Sequence, residues 1–249
     1  MLRSHQYFYV LLAALLLLTS CQNQTPQTSD QAAEEEIVEE VTSEEVAAVC
    51  IWDGTSLRSI PKVKGRYLSG ISLGEQVTWM GIARTDTSTS RKVEYLKIRL
   101  SDGTEGWASS SGIIRDASAG AVVQKTYVYL RPDLLTVTEK YFEPMEMVAI
   151  SKEQEGWLEV VGSQRKKKGW IRNDGGVSVE KADVAVAILA SKAFEISNDS
   201  ERRNKLKSLI ENPQFENSVF ISALRTMLSP EPTLRELEME DIGNGESTY

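Results

Sequence analysis

Residues 49–178 hold all five tryptophans and repeat themselves once, and this duplication restricts the fold more than any other feature of the chain. The run Tyr95-Leu96-Lys97-Ile98-Arg99 returns as Trp157-Leu158-Glu159-Val160-Val161. Each copy passes through a polar turn into Gly-Trp, at Gly106-Trp107 and at Gly169-Trp170. The turns are Ser101-Asp102-Gly103-Thr104-Glu105 and Gly162-Ser163-Gln164-Arg165-Lys166-Lys167-Lys168. Apolar residues at alternate positions, bounded by Gly, Asp, Ser and Asn, mark short half-buried strands, and a strand, a polar turn and a returning strand make a hairpin. Upstream, Leu57-Arg58 matches Leu130-Arg131. Gly74-Glu75-Gln76-Val77-Thr78-Trp79-Met80 likewise matches Pro144-Met145-Glu146-Met147-Val148-Ala149-Ile150, each a turn entering a strand. The polar stretch 84–92, rich in Thr and Ser, has no counterpart in the second copy and is expected to be a long loop.

In order, spacing and duplication these segments resemble the bacterial Src-homology-3-like (SH3b) domain. That family's usual pattern is a Leu-Asn-Val-Arg-like segment, a Gly-led Val-rich strand, a Trp-Tyr-Lys-Val-like strand and a closing Gly-Trp-Val. The resemblance covers two copies, about half the chain, and implies a mainly β fold. Two tandem small SH3-like barrels, 48–117 and 118–179, would be followed by a short α-helical C-terminal segment, 180–230. It also implies a groove between loops where an extended peptide or glycan strand lies. Trp52, Tyr95, Trp107, Tyr129, Trp157 and Trp170 are the candidate ligand-binding aromatics. Each is divided between packing inside a barrel and lining that groove. The insertion, the Leu-Arg-Pro segment and Pro144, where Gly is commoner, depart from the pattern and leave ligand specificity open.

Arg165-Lys166-Lys167-Lys168 falls at the tip of the second predicted hairpin. Four like charges there are either a solvated turn or a contact for an anionic partner such as a sulfated polysaccharide, an acidic protein face or a wall polymer.

The chain carries a net charge of −8, but the charge is unevenly placed. Asp30, Glu34, Glu35, Glu36, Glu39, Glu40, Glu44 and Glu45 crowd residues 22–48 without a single Lys or Arg, and residues 231–249 set six acids against Arg235. Between 49 and 230 there are 26 Lys plus Arg against 22 Asp plus Glu, so the middle is mildly basic. Acidic segments poor in apolar residues cannot offset chain entropy by burial. Residues 21–47 are therefore expected to be a disordered tether, spanning about 25 to 30 Å as a random coil, and 231–249 a disordered tail.

At the N-terminus Arg3 precedes an apolar run, 7–18, too short to span a bilayer core of about 30 Å. Leu18-Thr19-Ser20-Cys21 closes it and resembles the lipobox of bacterial lipoprotein leaders. The resemblance implies a signal peptide at 1–20, acylation of Cys21, and attachment to a membrane through that lipid. Gln22 is not the aspartate that resembles an inner-membrane retention signal, which favours the outer membrane, on its periplasmic or its outward face. Nucleic acid is not an expected partner of an exported protein.

The sole histidine, His5, lies in the leader, so the mature chain has no imidazole for a Ser-His-Asp or Cys-His arrangement. No Gly-rich phosphate loop and no conspicuous carboxylate pair is present, so neither catalysis, a cofactor nor a metal is expected. Cys50, in Val49-Cys50-Ile51, is either a small buried hydrophobe or an unpaired thiol open to intermolecular pairing or reaction.

From Asp183 the apolar period lengthens. Val186, Leu189, Ala193 and Ile196 fall on one helical face, and Asn198-Asp199-Ser200 stops that helix and caps the next. A second helix, 201–211, turns Leu206, Leu209 and Ile210 inward; after Pro213 a third, 214–228, carries Phe220, Leu224 and Met227. Together these features lead to a non-catalytic, lipid-anchored envelope protein that recognises a cell-wall peptide, glycan or protein ligand. Two alternatives are a surface adhesin for host extracellular-matrix or plasma proteins and an envelope assembly factor that holds a partner with its helical end.

Overall fold

Alternating burial explains most of the strands. In the computed structural model, which describes residues 39–41 and 44–229, the first sheet contains eight of them. These are β1 (Glu39–Val41), β2 (Val46–Cys50), β3 (Thr55–Arg58), β4 (Tyr67–Ile71), β5 (Gln76–Asp86), β6 (Val93–Arg99), β7 (Glu105–Ser109) and β8 (Ile113–Arg115). They pair in the order β4-β3-β7-β6-β5-β2-β8, with β1 laid on β5. The second sheet contains β9 (Ser118–Val122), β10 (Thr126–Tyr129), β11 (Val137–Phe142), β12 (Met147–Gln154), β13 (Trp157–Gly162), β14 (Lys168–Arg172) and β15 (Val177–Ser178). Its order is β11-β10-β14-β13-β12-β9-β15. Strand for strand this is the first order moved on by seven, so the duplication seen in the sequence is a duplication of topology. The fold is mainly β, two antiparallel sheets and then helices, as the sequence leads one to expect. The leader, Cys21 and the tail 231–249 lie outside the described residues, as does most of the expected tether.

Register aligns the copies. Lys97 faces Trp107 and Glu159 faces Trp170, so the aromatic-led strands and the Gly-Trp strands correspond as read. The upstream match shifts. Arg58 faces Trp107 where Tyr129 faces Trp170, which makes Val128-Tyr129 the counterpart of Leu57-Arg58, and Leu130-Arg131 lies two residues beyond it. Leu57 and Val128 are both buried, whereas Leu130 is exposed. The turn before β5 and that before β12 also correspond: the amide of Gly74 donates to the Cys50 carbonyl and that of Met145 to the Val122 carbonyl, both at 2.8 Å. Both residues have positive φ, +74° and +68°, which glycine adopts freely and methionine does not.

Two further expectations are corrected. The stretch 84–92 is only partly a loop: Arg84, Thr85 and Asp86 extend β5 and pair with Tyr95, Glu94 and Val93, because the hairpin is longer than its counterpart rather than interrupted. The tether does not run to residue 47. Glu39–Val41 pairs with Arg84, Ala83 and Ile82, and β2 begins at Val46, held by the apolar run that follows and by Glu45 forking onto Arg99 at 2.9 and 3.0 Å.

Each sheet wraps a core of its own. Leu57, Ile71, Leu96, Ile98 and Ile113 fill the first, and Val128, Phe142, Val148, Val160 and Ile171 the second. A third core lies where sheets and helices meet. It takes Val49 and Ile114 from the first sheet with Ile51 just after β2, Ala119, Ala121, Met147 and Ala149 from the second, and Val186, Ala187, Ala190, Leu206 and Leu224 from the helices with Phe220 at the start of the last. Strand β2 therefore faces two cores at once, Ala48 and Cys50 inward and Val49 outward, which is why its sequence is continuously apolar rather than alternating.

The helices are α1 (Lys181–Phe194), α2 (Asp199–Ile210) and α3 (Ile221–Leu228). Asn198 caps α2 by accepting from the Glu201 amide at 3.0 Å, as its place in the sequence suggests. The predicted face of α1 is rotated: Val186 and Ala193 are buried, but Leu189 is exposed and the small residues Ala187 and Ala190 take the inner side. Alanines there let the helix approach the sheets closely. The third helix is shorter than expected. Pro213 begins a 3-10 turn, Pro213–Phe215, and α3 starts only at Ile221, leaving Met227 exposed. The buried Asp183 carboxylate fixes this connection, accepting from the Val219 amide at 3.0 Å and from the Ser178 hydroxyl.

Candidate functional site

Four of the five tryptophans are covered by the protein's own cations. Arg115 lies 4.8 Å over the Trp79 ring, Lys97 and Arg84 at 5.8 and 5.7 Å over Trp107, Arg172 5.2 Å over Trp157 and Lys152 5.8 Å over Trp170. Such contacts hold an indole in place and occupy the face that a ligand would use. Among the described residues Trp52 is the tryptophan without such a cover, and it is 46% exposed.

Trp52 stands in the tight turn between β2 and β3. The Thr55 amide and hydroxyl both donate to its carbonyl, at 3.2 and 2.7 Å, and Gly54 takes the positive φ that the turn requires. Beside it runs a groove of about 300 Å³ bounded by Arg58, Val63, Tyr95, Ser109 and Ser111. The floor is rigid. Tyr95 is buried, and burial together with the nearby Asp86 charge raises its phenol above the ordinary range, so it stays protonated. Arg58 donates to the Gly65 carbonyl at 2.8 Å and ties the β3–β4 loop to the wall. The hydroxyls of Ser109 and Ser111, 2.9 Å apart, complete the polar rim. An indole beside a cation and paired hydroxyls suits a polar, extended ligand with an apolar face.

The expected aromatics do not converge on one surface. Trp52 and Tyr95 share the groove. Trp107 and Trp157 are buried, so their rings belong to the interior rather than to a groove. Tyr129 packs edge-on against Trp157, ring centres 4.9 Å apart, and pairs through its backbone with Trp170. The split between core and groove thus falls on the core side for most of them. Their common signal was strand position: each sits in a strand, whereas Trp52 sits in a turn.

The basic run is not a free cluster. Arg165 reaches out of the second sheet and donates to three carbonyls at the end of the first, Ser110 and Ser111 at 3.0 Å and Ile113 at 3.1 Å. The Gln164 amide donates to the Ile51 carbonyl at 2.8 Å. Lys167 pairs with Glu146 and lies 5.0 Å over the Phe142 ring. Lys166 and Lys168 remain solvated, and like charges at the tip are separated by the partners of Arg165 and Lys167. Partial burial lowers the Arg165 pKa. The positive φ of Gln164 and Arg165, both +55°, aims the guanidinium outward. No sequence pattern marks such a conformation.

Cys50 is fully buried, and desolvation raises its thiol above the ordinary value. It packs as a small hydrophobe and is not a poised nucleophile. Asp53, next to Trp52, accepts from the Leu73 amide at 3.1 Å and from Lys192 of α1 at 2.9 Å, and these bonds lower its pKa. Among the described residues no three His, Cys, Asp or Glu side chains converge as metal ligands.

No family model matches the chain, and no curated protein matches it. Among solved structures it is similar to two proteins of Trichomonas vaginalis, NlpC2 at 14% identity and NlpC1 at 15%, each with a TM-score of 0.24. The likeness covers 67% of this chain and 57% and 54% of theirs, so the chain spans little more than half of their lengths. An overlap of that size carries no argument about activity.

Proposed function

We propose that the chain is a non-catalytic binding lipoprotein of the bacterial outer membrane, held by an acylated Cys21, whose SH3-like domains act in recognition. The ligand site is the groove of the first domain, and the ligand is an extended cell-wall peptide or glycan strand crossing Trp52. One observation carries this reading: Trp52 is half exposed at the edge of a rigid groove while cations cover the other tryptophans. The second domain contributes scaffold. At the turn after its first strand it has Gln124 and Lys125 and no aromatic residue, and its basic hairpin tip is used against the first domain.

Retention on purified cell wall, measured across a salt series beside immobilised matrix proteins, tests the assignment. Trp52→Ala removes a solvent-facing indole and leaves the fold intact, and it should weaken wall retention about tenfold or more, as loss of an aromatic anchor does. Equal retention of the variant would sink the groove. Cleavage by protease added to intact cells, together with salt-sensitive matrix binding, would replace the wall ligand with a host protein and make the chain an adhesin.

A further inference from the structure

The β10–β11 hairpin ends in a tip that no other part of the described molecule covers. Leu130, Leu134 and Leu135 are 73%, 59% and 92% exposed, and Val137 beside them is more than half exposed. Isolated exposed leucines need no explanation, but several on one protruding turn do.

This tip is also unusually self-contained. The amide of Leu130 donates to the Thr136 carbonyl at 3.0 Å, that of Asp133 to Arg131 at 2.7 Å and that of Thr136 to Asp133 at 3.0 Å. The Leu135 amide is taken by the Asp133 carboxylate at 2.9 Å, and the Thr136 hydroxyl bonds the Arg131 and Asp133 carbonyls at 3.0 and 2.8 Å. Pro132 has no amide hydrogen to satisfy. These bonds satisfy the amides of Leu130, Arg131, Asp133, Leu135 and Thr136, which lowers the cost of bringing the tip to a lipid interface.

Behind the leucines comes an aromatic and basic collar. Tyr127 and Tyr141 face each other across the hairpin with ring centres 5.9 Å apart, and the Lys125 ammonium sits 3.8 Å from the Tyr141 ring centre. Lys140 adds an exposed cation to the collar, while Arg131 is an exposed cation of the tip itself, next to Leu130. Against them stand Glu139 and Asp133, the latter engaged with the tip's own amide. Leu130 lies three residue steps along extended chain from Tyr127, about 10 Å. Leucines, then tyrosines and lysines at that depth, follow the profile of a bilayer from acyl boundary to headgroup phosphate. An anionic glycan would use the cations but has no use for the leucines.

We infer that the β10–β11 tip is a membrane-contact element that inserts Leu130, Leu134 and Leu135 into the interface of an anionic bilayer. It is separate from the Trp52 groove and from acylation of Cys21. The contact would hold the second domain against the lipid surface and leave the groove of the first for its ligand.

The test uses the full chain carrying Cys21→Ser and Leu135→Cys, labelled at the new thiol with an environment-sensitive fluorophore, since Cys50 is buried. With vesicles of phosphatidylethanolamine and phosphatidylglycerol the emission should shift to the blue and be quenched by lipids bearing a shallow doxyl group. In the unlabelled Cys21→Ser chain, Leu134→Ser with Leu135→Ser should lower vesicle retention at least tenfold. Leu134 and Leu135 are solvent-facing, so their substitution leaves the fold intact. Emission that stays water-like at saturating lipid overturns the inference. So does a blue shift that grows with protein concentration without lipid and ignores the quencher, which would assign the tip to a second copy. Failure of the anchor reading shows separately, as loss of retention that is equal for Cys21 and Cys21→Ser chains.

Discussion

At the scale of single residues, the repeat is held together by what is missing from a glycine. Gly106 and Gly169 precede the repeated tryptophans where β3 and β10 cross close by. A Cβ on Gly106 would stand 2.7 Å from the Leu57 side chain and 2.8 Å from the Arg58 carbonyl; one on Gly169 would stand 2.6 Å from both Val128 and the Tyr129 carbonyl. Backbone cannot yield as a flexible side chain can. Gly169→Ala should therefore destabilise the chain by about 2 kcal/mol, the range for overpacking a core, as read from urea denaturation. Gly103→Ala, with open space around its position, is the control. The φ of +85° at Gly103 makes some loss certain there too, but without collision. Asp53 is one of the carboxylates that carry a pH effect. Its folded pKa lies below the ordinary 3.8, so the stability it supplies is complete above that value and is lost as pH falls through it toward the folded pKa. The acid limb of a stability profile should flatten in Asp53→Asn, and an unchanged limb would remove Asp53 as its source.

At the scale of elements, the decisive contact is made by a hairpin tip. Residues 163–165 form a turn that crosses to the first sheet, where the guanidinium forks over three carbonyls. Those carbonyls close the turn Ser110–Gly112 and open β8, so one side chain satisfies the acceptors at the end of the first domain. Hydrogen bonds to a charged donor are stronger than neutral ones, and partial exposure discounts them, so Arg165→Ala should cost about 1 to 2 kcal/mol. The signature that separates this role from a soluble turn is cooperativity. Wild-type unfolding is expected as one transition, whereas Arg165→Ala should broaden it or resolve it into two. Arg165→Lys should not restore it, because an ammonium cannot span three acceptors in a fixed fork. Lys166→Ala, at the solvated position, should leave it unchanged.

At the scale of the whole molecule, the third core makes two domains and three helices one folding unit. Leu224 of α3 is fully buried in it beside residues of both sheets, and Leu224→Ala should cost about 2 to 5 kcal/mol through lost burial and the cavity left behind. Thermal melts followed at tryptophan and in the far ultraviolet should shift together; separate shifts would show that the helices melt on their own. The sequence by itself determined the strands, the duplication and the helix caps, because alternation, turn residues and side-chain caps act over a few neighbouring positions. Tyr95 and Trp157, Gly106 and Gly169, and Asn198 were all legible for that reason. It also held an unread sign of the third core, the continuous apolar run 46–51, which alternation alone does not explain. Only the tertiary structure decided that Trp52 alone among the tryptophans stays uncovered, that Arg165 is a clasp rather than a solvated charge, and that Leu189 faces out while Ala187 and Ala190 face in. Each depends on which surfaces meet at long range, and burial there is settled by the neighbour that arrives, not by the residues on either side.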